Sequence, residues 1–430
     1  MSDLAEGYKY SQIGPVPETW EVCRLSDCAV IDKQSLSNST PADFSFEYIS
    51  LGDVEKGRIV NELPKMTFSE SPSRARKSVS SGDILLATVR PNLKNFIRIK
   101  SVDSPLVAST GYSVISANDD NDGEFLYQSI YSDHVTDQIE SLVVGSNYPA
   151  INSSDVKNLL ITCPPLPEQK KIASILSAVD NKLDLIARKI TATRTLKKGL
   201  MQRLFSQGVG TRNADGHWQP HTEFKDSELG RIPAGWEIKP LGDFLSLITY
   251  GFTNPMPTAD EGILMVTAAN INNGRIDTAN ARRTTEEAFC NLLTDKSRPI
   301  QGDILLTKDG SLGRLALVDS EKLCINQSVA LLRPKQNVET QFLKLLLESP
   351  TYQRKMLDDA GGSTIKHIYI TKVDKMLIAC PLIEEQVKIV GILSTMNRKL
   401  DQAIAKKSQL QILKKGLMQK LLTGQLRVKV

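Results

Sequence analysis

Five side chains able to grip a polyanion fall close together in one stretch: Arg90, Asn92, Lys94, Asn95 and Arg98. Arginine, asparagine and lysine bond phosphates and also match the edges of guanine and adenine. Arg74, Arg76 and Lys77 lie just upstream, ahead of the apolar run Ile84-Leu85-Leu86. A second set surrounds the similar run Ile304-Leu305-Leu306, with Arg282 and Arg283 before it and Lys308, Ser311 and Arg314 after it. Asn147 and Tyr148 follow Gly145-Ser146, while Lys366, His367 and Tyr369 follow Gly362-Ser363. Any one of these residues reads equally well as an ordinary solvated loop residue. Their recurrence around matching landmarks is what singles them out.

Catalytic patterns are missing. There is no G-x-x-x-x-G-K-[ST] phosphate loop, no G-x-G-x-x-G after a strand, no G-x-S-x-G elbow and no H-E-x-x-H. The [ND]-P-P-[FYW] tetrapeptide of amino-methyltransferases is also missing, since Asn254-Pro255-Met256 fails at its third position. His217 and His221 have i, i+4 spacing, but Pro220 breaks the segment and no cysteine stands near, so no metal is expected there. Cys23 and Cys28 lack a second ligand pair and read as core residues. Asp119-Asp120 and Asp358-Asp359 read as surface carboxylates. The expectation is a chain with no catalytic, cofactor or metal site of its own.

These side chains must be carried by more than one core, because 430 residues suggest two to four domains. Hydrophobic content of 40% and charged content of 24% are ordinary for a globular protein. No apolar run reaches membrane-spanning length, the N-terminus lacks a signal peptide's apolar region, and six scattered cysteines suit a reducing compartment. A cytoplasmic protein with no membrane association is expected. The net charge of +4 conceals an asymmetry: residues 167–206 carry +6, residues 384–430 carry +7, and the remainder is acidic. Basic helices joined to mildly acidic globular parts suggest polyanion binding only if those parts also hold local basic patches.

The organising feature is a repeat. Pro167 to Phe205 returns at Glu384 to Leu422 without a gap, roughly half of the positions are identical, and Leu196-Lys197-Lys198-Gly199-Leu200-Met201-Gln202 is unchanged at Leu413 to Gln419. That period is far longer than those of solenoids and indicates a duplicated domain-plus-helix unit. In each copy a Pro-rich segment and an early glutamate start a helix. A heptad seam follows over about five heptads. It runs through Ile172, Leu176, Val179, Leu183, Ile186, Ile190, Thr193, Lys197, Leu200 and Leu204, then again through Ile389, Leu393, Met396, Leu400, Ala403, Lys407, Leu410, Lys414, Leu417 and Leu421. Lys197 and Lys414 are a shared polar defect in it. Two such helices in one chain most simply pack on each other, antiparallel if the halves are related by a pseudo-twofold axis. About 38 residues at about 1.5 Å each then make a spacer of roughly 57 Å.

The globular parts share Trp openings at Trp20 and Trp236, Gly turns at Lys56-Gly57 and Asn273-Gly274, and Gly-Asp turns at Gly82-Asp83 and Gly302-Asp303. Short strands dominate, with helical stretches near Phe125–Ser141 and Thr340–Asp358. The fold class is therefore α+β: two duplicated globular domains and two long antiparallel helices forming an intramolecular coiled coil. The expected boundaries are a first domain over 1–165, a helix over 166–207, a linker over 208–227, a second domain over 228–382 and a second helix over 383–424.

This ordered set resembles the specificity subunit of a Type I restriction-modification system. The resemblance rests on Pro167-Glu168-Gln169 and Glu384-Glu385-Gln386, the two Leu-Lys-Lys-Gly-Leu-Met-Gln blocks, the Ile232–Glu237 opening and the two Gly-Asp-Ile-Leu strands. It spans nearly the whole chain; the first opening departs from the second in having Thr19 where Gly235 stands. The resemblance implies that each globular part is a target recognition domain reading one half of a bipartite sequence in double-stranded DNA. It further implies that the helices act as a ruler and as docking surfaces for two modification (methyltransferase) subunits. Restriction (endonuclease and translocase) subunits would complete the complex. S-adenosylmethionine would belong to the modification subunits, and ATP and Mg²⁺ to the restriction subunits. The competing expectation is a coiled-coil protein scaffold without DNA recognition.

Overall fold

The apolar runs after the two Gly-Asp turns become inner strands of antiparallel sheets, Ile84–Ala87 and Ile304–Thr307, buried at every residue. Each turn is built the same way. Gly82 and Gly302 adopt φ of 92° and 90°, a left-handed conformation that suits glycine. Asp83 and Asp303 then accept a hydrogen bond from the amide three residues back, at 2.7 and 2.8 Å. In the computed structural model the described residues are 6–145, 149–319, 322–361 and 366–429. They fall into two compact units: Met1–Ala187 with Ala405–Val430, and Arg188–Ile404.

In the first unit, one sheet runs Ile97–Arg98, Ile84–Ala87, Tyr112–Ala117, Ala29–Ile31, antiparallel throughout. A second sheet runs Lys65–Thr67, Ser45–Ile49, Leu106–Ser109, Ala75–Val79, with its middle pair parallel. The second unit repeats the plan with Leu245–Tyr250, Val329–Pro334, Ile304–Thr307, Leu315–Leu317. Its other sheet has three strands, Arg282–Thr284, Ile263–Val266, Leu323–Ile325, and again one parallel pair. The Lys56-Gly57 and Asn273-Gly274 turns join two-stranded hairpins, with positive φ at both central residues, as a type I′ turn requires.

The helical stretches after these sheets differ from expectation. Each is two helices, Gly123–Ile130 with Asp133–Leu142, and Thr340–Leu347 with Pro350–Asp358. Extended backbone at Ser132 and Ser349 breaks them, and Pro350 fits the first turn of its helix because its missing N–H needs no partner there. Short helices at Ser153–Asn158 and Ile370–Lys375 were also not expected.

The long helices span Leu166–Gln207 and Ile383–Leu421. Every seam position is at least partly buried; between residues 191 and 199 only Thr193 and Lys197 are not exposed. In the first unit the start of the first helix, Ile172 and Leu176, shares a core with Leu417, Leu421 and Leu422 from the end of the second. In the second unit Met201 and Leu204 share a core with Ile389 and Leu393. Start meets end in both, so the pairing is antiparallel. The lysine defect is resolved differently in each: Lys414 Nζ lies 2.8 Å from Asp180, whose counterpart in the other copy is Asn397. Burial holds Lys197 below the ordinary lysine range, although Glu348 and Asp401 pull the other way.

A carboxylate fastens each helix start. Glu168 and Glu385 are 3% and 5% exposed. Trp20 Nε1 donates to Glu168 and Trp236 Nε1 to Glu385, both at 2.9 Å. Arg427 adds a two-pronged contact to Glu168 at 2.8 and 3.0 Å. Glu385 instead takes the amides of Val209 and Gly210 and the Nε2 of His221, at 2.7, 3.0 and 3.0 Å. The neighbouring glutamines, Gln169 and Gln386, donate to Pro164 O and Pro381 O and accept the amides of Asp122 and Glu339, the N-caps of the earlier helices Gly123–Ile130 and Thr340–Leu347. Among the described residues no helix is long and apolar enough to cross a membrane.

Trp20→Phe or Trp236→Phe leaves a buried carboxylate one donor short. Each should lower the stability of its own unit by roughly 1.5–3 kcal/mol, the worth of a hydrogen bond to a charged group. Urea unfolding should show an earlier midpoint at unchanged slope. An unmoved midpoint would mean that water replaces the indole.

Candidate nucleic-acid interface

The strand after the Gly-Asp turn of each unit runs out into the same hydrogen-bonded rim. In the first unit the Thr88 amide donates to Gly111 O at 2.8 Å, Thr88 O accepts Ile151 N at 2.9 Å, and Arg90 N reaches Pro149 O at 2.7 Å. In the second unit the Lys308 amide donates to Ser328 O at 2.9 Å, and Lys308 O accepts Ile368 N at 2.9 Å. Isolated bridges match as well: Val89 with Ala150 and Val144 with Ala150, against Asp309 with His367 and Gly361 with His367. Three segments distant in sequence are thus held side by side by the same backbone bonds in both units. Side chains at the rim are free to differ.

They do differ. The first rim carries exposed Arg90 and Asn92 and half-buried Lys94 and Asn95. Exposed Arg74 joins it, because Arg74 O accepts the amide of Thr110, beside Gly111. Arg90 and Lys94 have φ of 50° and 53°. Their counterparts by strand register, Gly310 and Gly313, have φ of 74° and 79°. Two basic side chains therefore occupy a left-handed conformation that the other unit gives to glycine. Each such residue costs about 1–2 kcal/mol, and strain of this kind gathers at functional sites. Asn95 Oδ1 meets the Lys56 amide at 3.4 Å, and Arg98 pairs with Glu124 at 3.3 Å, so these two side chains hold the loop.

The second rim is built on a charge cluster. Lys308 Nζ lies 2.8 Å from Asp309 and 5.5 Å from the centre of the Tyr250 ring. His367 Nδ1 lies 2.6 Å from the same carboxylate. Burial opposes ionisation of Asp309, but its bonds to Lys308 and His367 outweigh that and hold the carboxyl below the ordinary range. The carboxylate contribution is therefore present at neutral pH and fades as pH falls through this depressed value. Lys366 is exposed beside the cluster. Ser311 O accepts the Thr307 hydroxyl, and the Arg314 guanidinium bonds Ile271 O at 3.3 Å and the Asn272 side chain.

Residues 17–193 and 233–412 each match the family described as the Type I restriction modification DNA specificity domain. The chain belongs to that family. It is similar to the MjaVIII specificity subunit of a type I restriction enzyme from Methanocaldococcus jannaschii, 25% identical over 96% of this chain and 94% of the relative. It is also similar to the putative MjaX specificity subunit of the same organism, 26% identical over 99% and 97%. Among solved structures, a chain from a study of assembly and conformational transition of the type I R-M system has a TM-score of 0.58 at 23% identity, covering 96% of this chain and 99% of that one. The S subunit from M. genitalium gives 0.57 at 17%, covering 94% and 96%. The recognition-domain plan described above is the family's fold.

Within this family's fold, the candidate residues sort unevenly. Arg74, Arg90, Asn92, Lys94 and Asn95 converge on one rim, and Lys308, Lys366 and His367 on the other. Asn147 and Tyr148 lie outside the described residues. The two arginine groups that sequence order sets in parallel are not equivalent. Arg76 sits on Ala75–Val79, the edge strand beside Leu106–Ser109, whereas Arg283 sits on Arg282–Thr284, the opposite edge of its sheet. The register of the second unit makes Lys65–Thr67 the counterpart of Arg282–Thr284. Arg76 stacks 4.9 Å from Phe68 and bonds Ala75 O, and Arg283 bonds Gly262 O at 2.8 Å, so both brace their sheets. Sequence reasoning passed over Asp309 and Tyr250; the adjacent Lys308-Asp309 pair was the available signal.

Lys94→Gly removes backbone strain. It should raise stability by about 0.5–1 kcal/mol once the greater freedom of glycine in the unfolded chain is set against the relief. A denaturant midpoint that falls instead would show that this side chain holds the loop together.

Proposed function

We propose that this chain is the non-catalytic, sequence-specific DNA-binding subunit of a type I restriction-modification complex, and that each unit reads one half of a bipartite target with its rim. One observation carries the reading: two rims share a backbone hydrogen-bond frame and carry different polar and basic side chains. A conserved frame fixes where a reader meets DNA, and different side chains make the two halves of the target different. Arg90 offers a fork suited to guanine O6 and N7, and Asp309 an acceptor suited to cytosine N4. Methylation and cleavage then fall to modification and restriction subunits, which would hold the S-adenosylmethionine, ATP and Mg²⁺.

The surface for the modification subunits lies on the repeated Leu-Lys-Lys-Gly-Leu-Met-Gln blocks. Leu196 and Leu413 are 55% and 50% exposed. Gly199 and Gly416 sit inside helices with open space where a Cβ would stand. An exposed helical glycine costs about 1 kcal/mol relative to alanine and gains nothing within this chain. Close approach of a partner's backbone or side chain explains it in both copies, which suits two modification subunits.

Two experiments test these assignments. Arg90→Ala should weaken methylation through one half-site and Lys308→Ala through the other, read by methylome sequencing of cells carrying each variant. Identical loss at both half-sites would reject the assignment of rims to halves. Gly199→Leu and Gly416→Leu should each raise the melting temperature of the free chain yet prevent co-purification of a modification subunit. Undiminished assembly would place the docking surface elsewhere.

A further inference from the structure

Three thiols from three separate elements meet in the first unit. Cys23 lies on the opening strand Glu21–Arg24, Cys28 ends the short helix Leu25–Cys28, and Cys163 ends the closing strand Leu160–Cys163. Their Sγ atoms all lie within 4.8 Å of one another, with those of Cys28 and Cys163 3.0 Å apart. Cys28 is buried and the other two are half-buried, so the cluster is closed on one side and open on the other. From sequence, Cys23 and Cys28 read as core residues because no second ligand pair stands near. The fold brings Cys163 to them.

The second unit serves as an internal control. Its Glu237–Pro240 and Leu377–Cys380 strands pair in the same register as those of the first. Lys239 and Phe244 stand at the places of Cys23 and Cys28, and only Cys380 is retained. Phe244 is 5% exposed and packs in its core, while Cys380 Sγ takes a bond from Gln386 at 3.3 Å. Packing at this corner therefore works without a sulfur cluster.

We propose that Cys23, Cys28 and Cys163 bind a thiophilic divalent cation of the zinc class. Three sulfurs and no oxygen donor select a soft ion over Mg²⁺ or Ca²⁺. Zinc–sulfur bonds of about 2.3 Å place tetrahedral ligands about 3.8 Å apart, so the Cys28–Cys163 pair opens by about 0.8 Å. Water takes the fourth position from the open side. Binding releases one proton from each thiol to solvent and leaves three thiolates around the dication, with a net charge of one minus. The ion ties the opening strand, the short helix and the closing strand together one residue before Pro164, where the chain turns into the first long helix.

The test uses the full chain, reduced, loaded with Zn²⁺ alone and desalted, with metal and protein quantified together. One zinc per chain should remain, and Cys28→Ser and Cys163→Ser should each lose it while Cys290→Ser keeps it. Titrating the reduced wild-type chain with Co²⁺ should give a thiolate-to-cobalt charge-transfer band, a readout independent of whether any serine variant folds. The proposal fails if the wild-type chain retains no zinc and shows no such band. It also fails if the band survives in the Cys28→Ser Cys163→Ser double variant, or if Cys28 and Cys163 form a disulfide whose reduction brings no zinc uptake.

Discussion

A carboxylate buried in a protein loses several kcal/mol of solvation, and this chain buries one at the root of each long helix. Glu168 and Glu385 are tolerated because each is surrounded by donors: an indole N–H in both cases, then Arg427 in one unit and His221 with two backbone amides in the other. The carboxylate also lies in the first turn of its helix, where the helix dipole favours negative charge. Opening strand, helix start and the segment after the opposite helix end are thereby fixed to one point. The glutamine beside each glutamate extends the same point to the N-terminus of an earlier helix, Gly123–Ile130 in one unit and Thr340–Leu347 in the other.

From this corner outward, constraint weakens in steps. Near the helices the two copies share residues and hydrogen bonds; in the sheets they share topology but not strand count; at the rims they share only backbone bonds. The chemistry follows the same gradient, from buried ion pairs to exposed arginine and lysine. Arg90 and Lys94 in left-handed backbone, and Gly199 and Gly416 in open helix faces, are locally unfavourable choices. They sit at the rim and on the repeated helix block, where this chain would meet other molecules.

Much of this was legible in the sequence, for identifiable reasons. The seam could be read because heptad spacing maps directly onto burial, and Gly-Asp and X-Gly turns because positive φ restricts residue choice so strongly. Linear order sets Arg283 in parallel with Arg76, but it does not encode which edge of a sheet a strand takes. The counterpart of Arg282–Thr284 is Lys65–Thr67, which only strand register reveals. Helix breaks at Ser132 and Ser349 escaped because the apolar pattern continues through them. Asp309 escaped because its meaning depends on His367, brought beside it by a backbone bridge between distant segments.

The composition of the first unit has a consequence for how the chain comes to be folded. Its core includes Leu421 and Leu422, and its buried carboxylate is covered by Arg427, all from the far end of the sequence. The second unit is one continuous stretch, Arg188–Ile404. A ribosome therefore finishes every residue of the second unit while the first, begun earlier, still lacks a wall of its core. Glu168 and its apolar neighbours stay incompletely covered through that interval. Birth order and completion order are reversed, so the half made first is the half most in need of protection until the end of the second helix has been made.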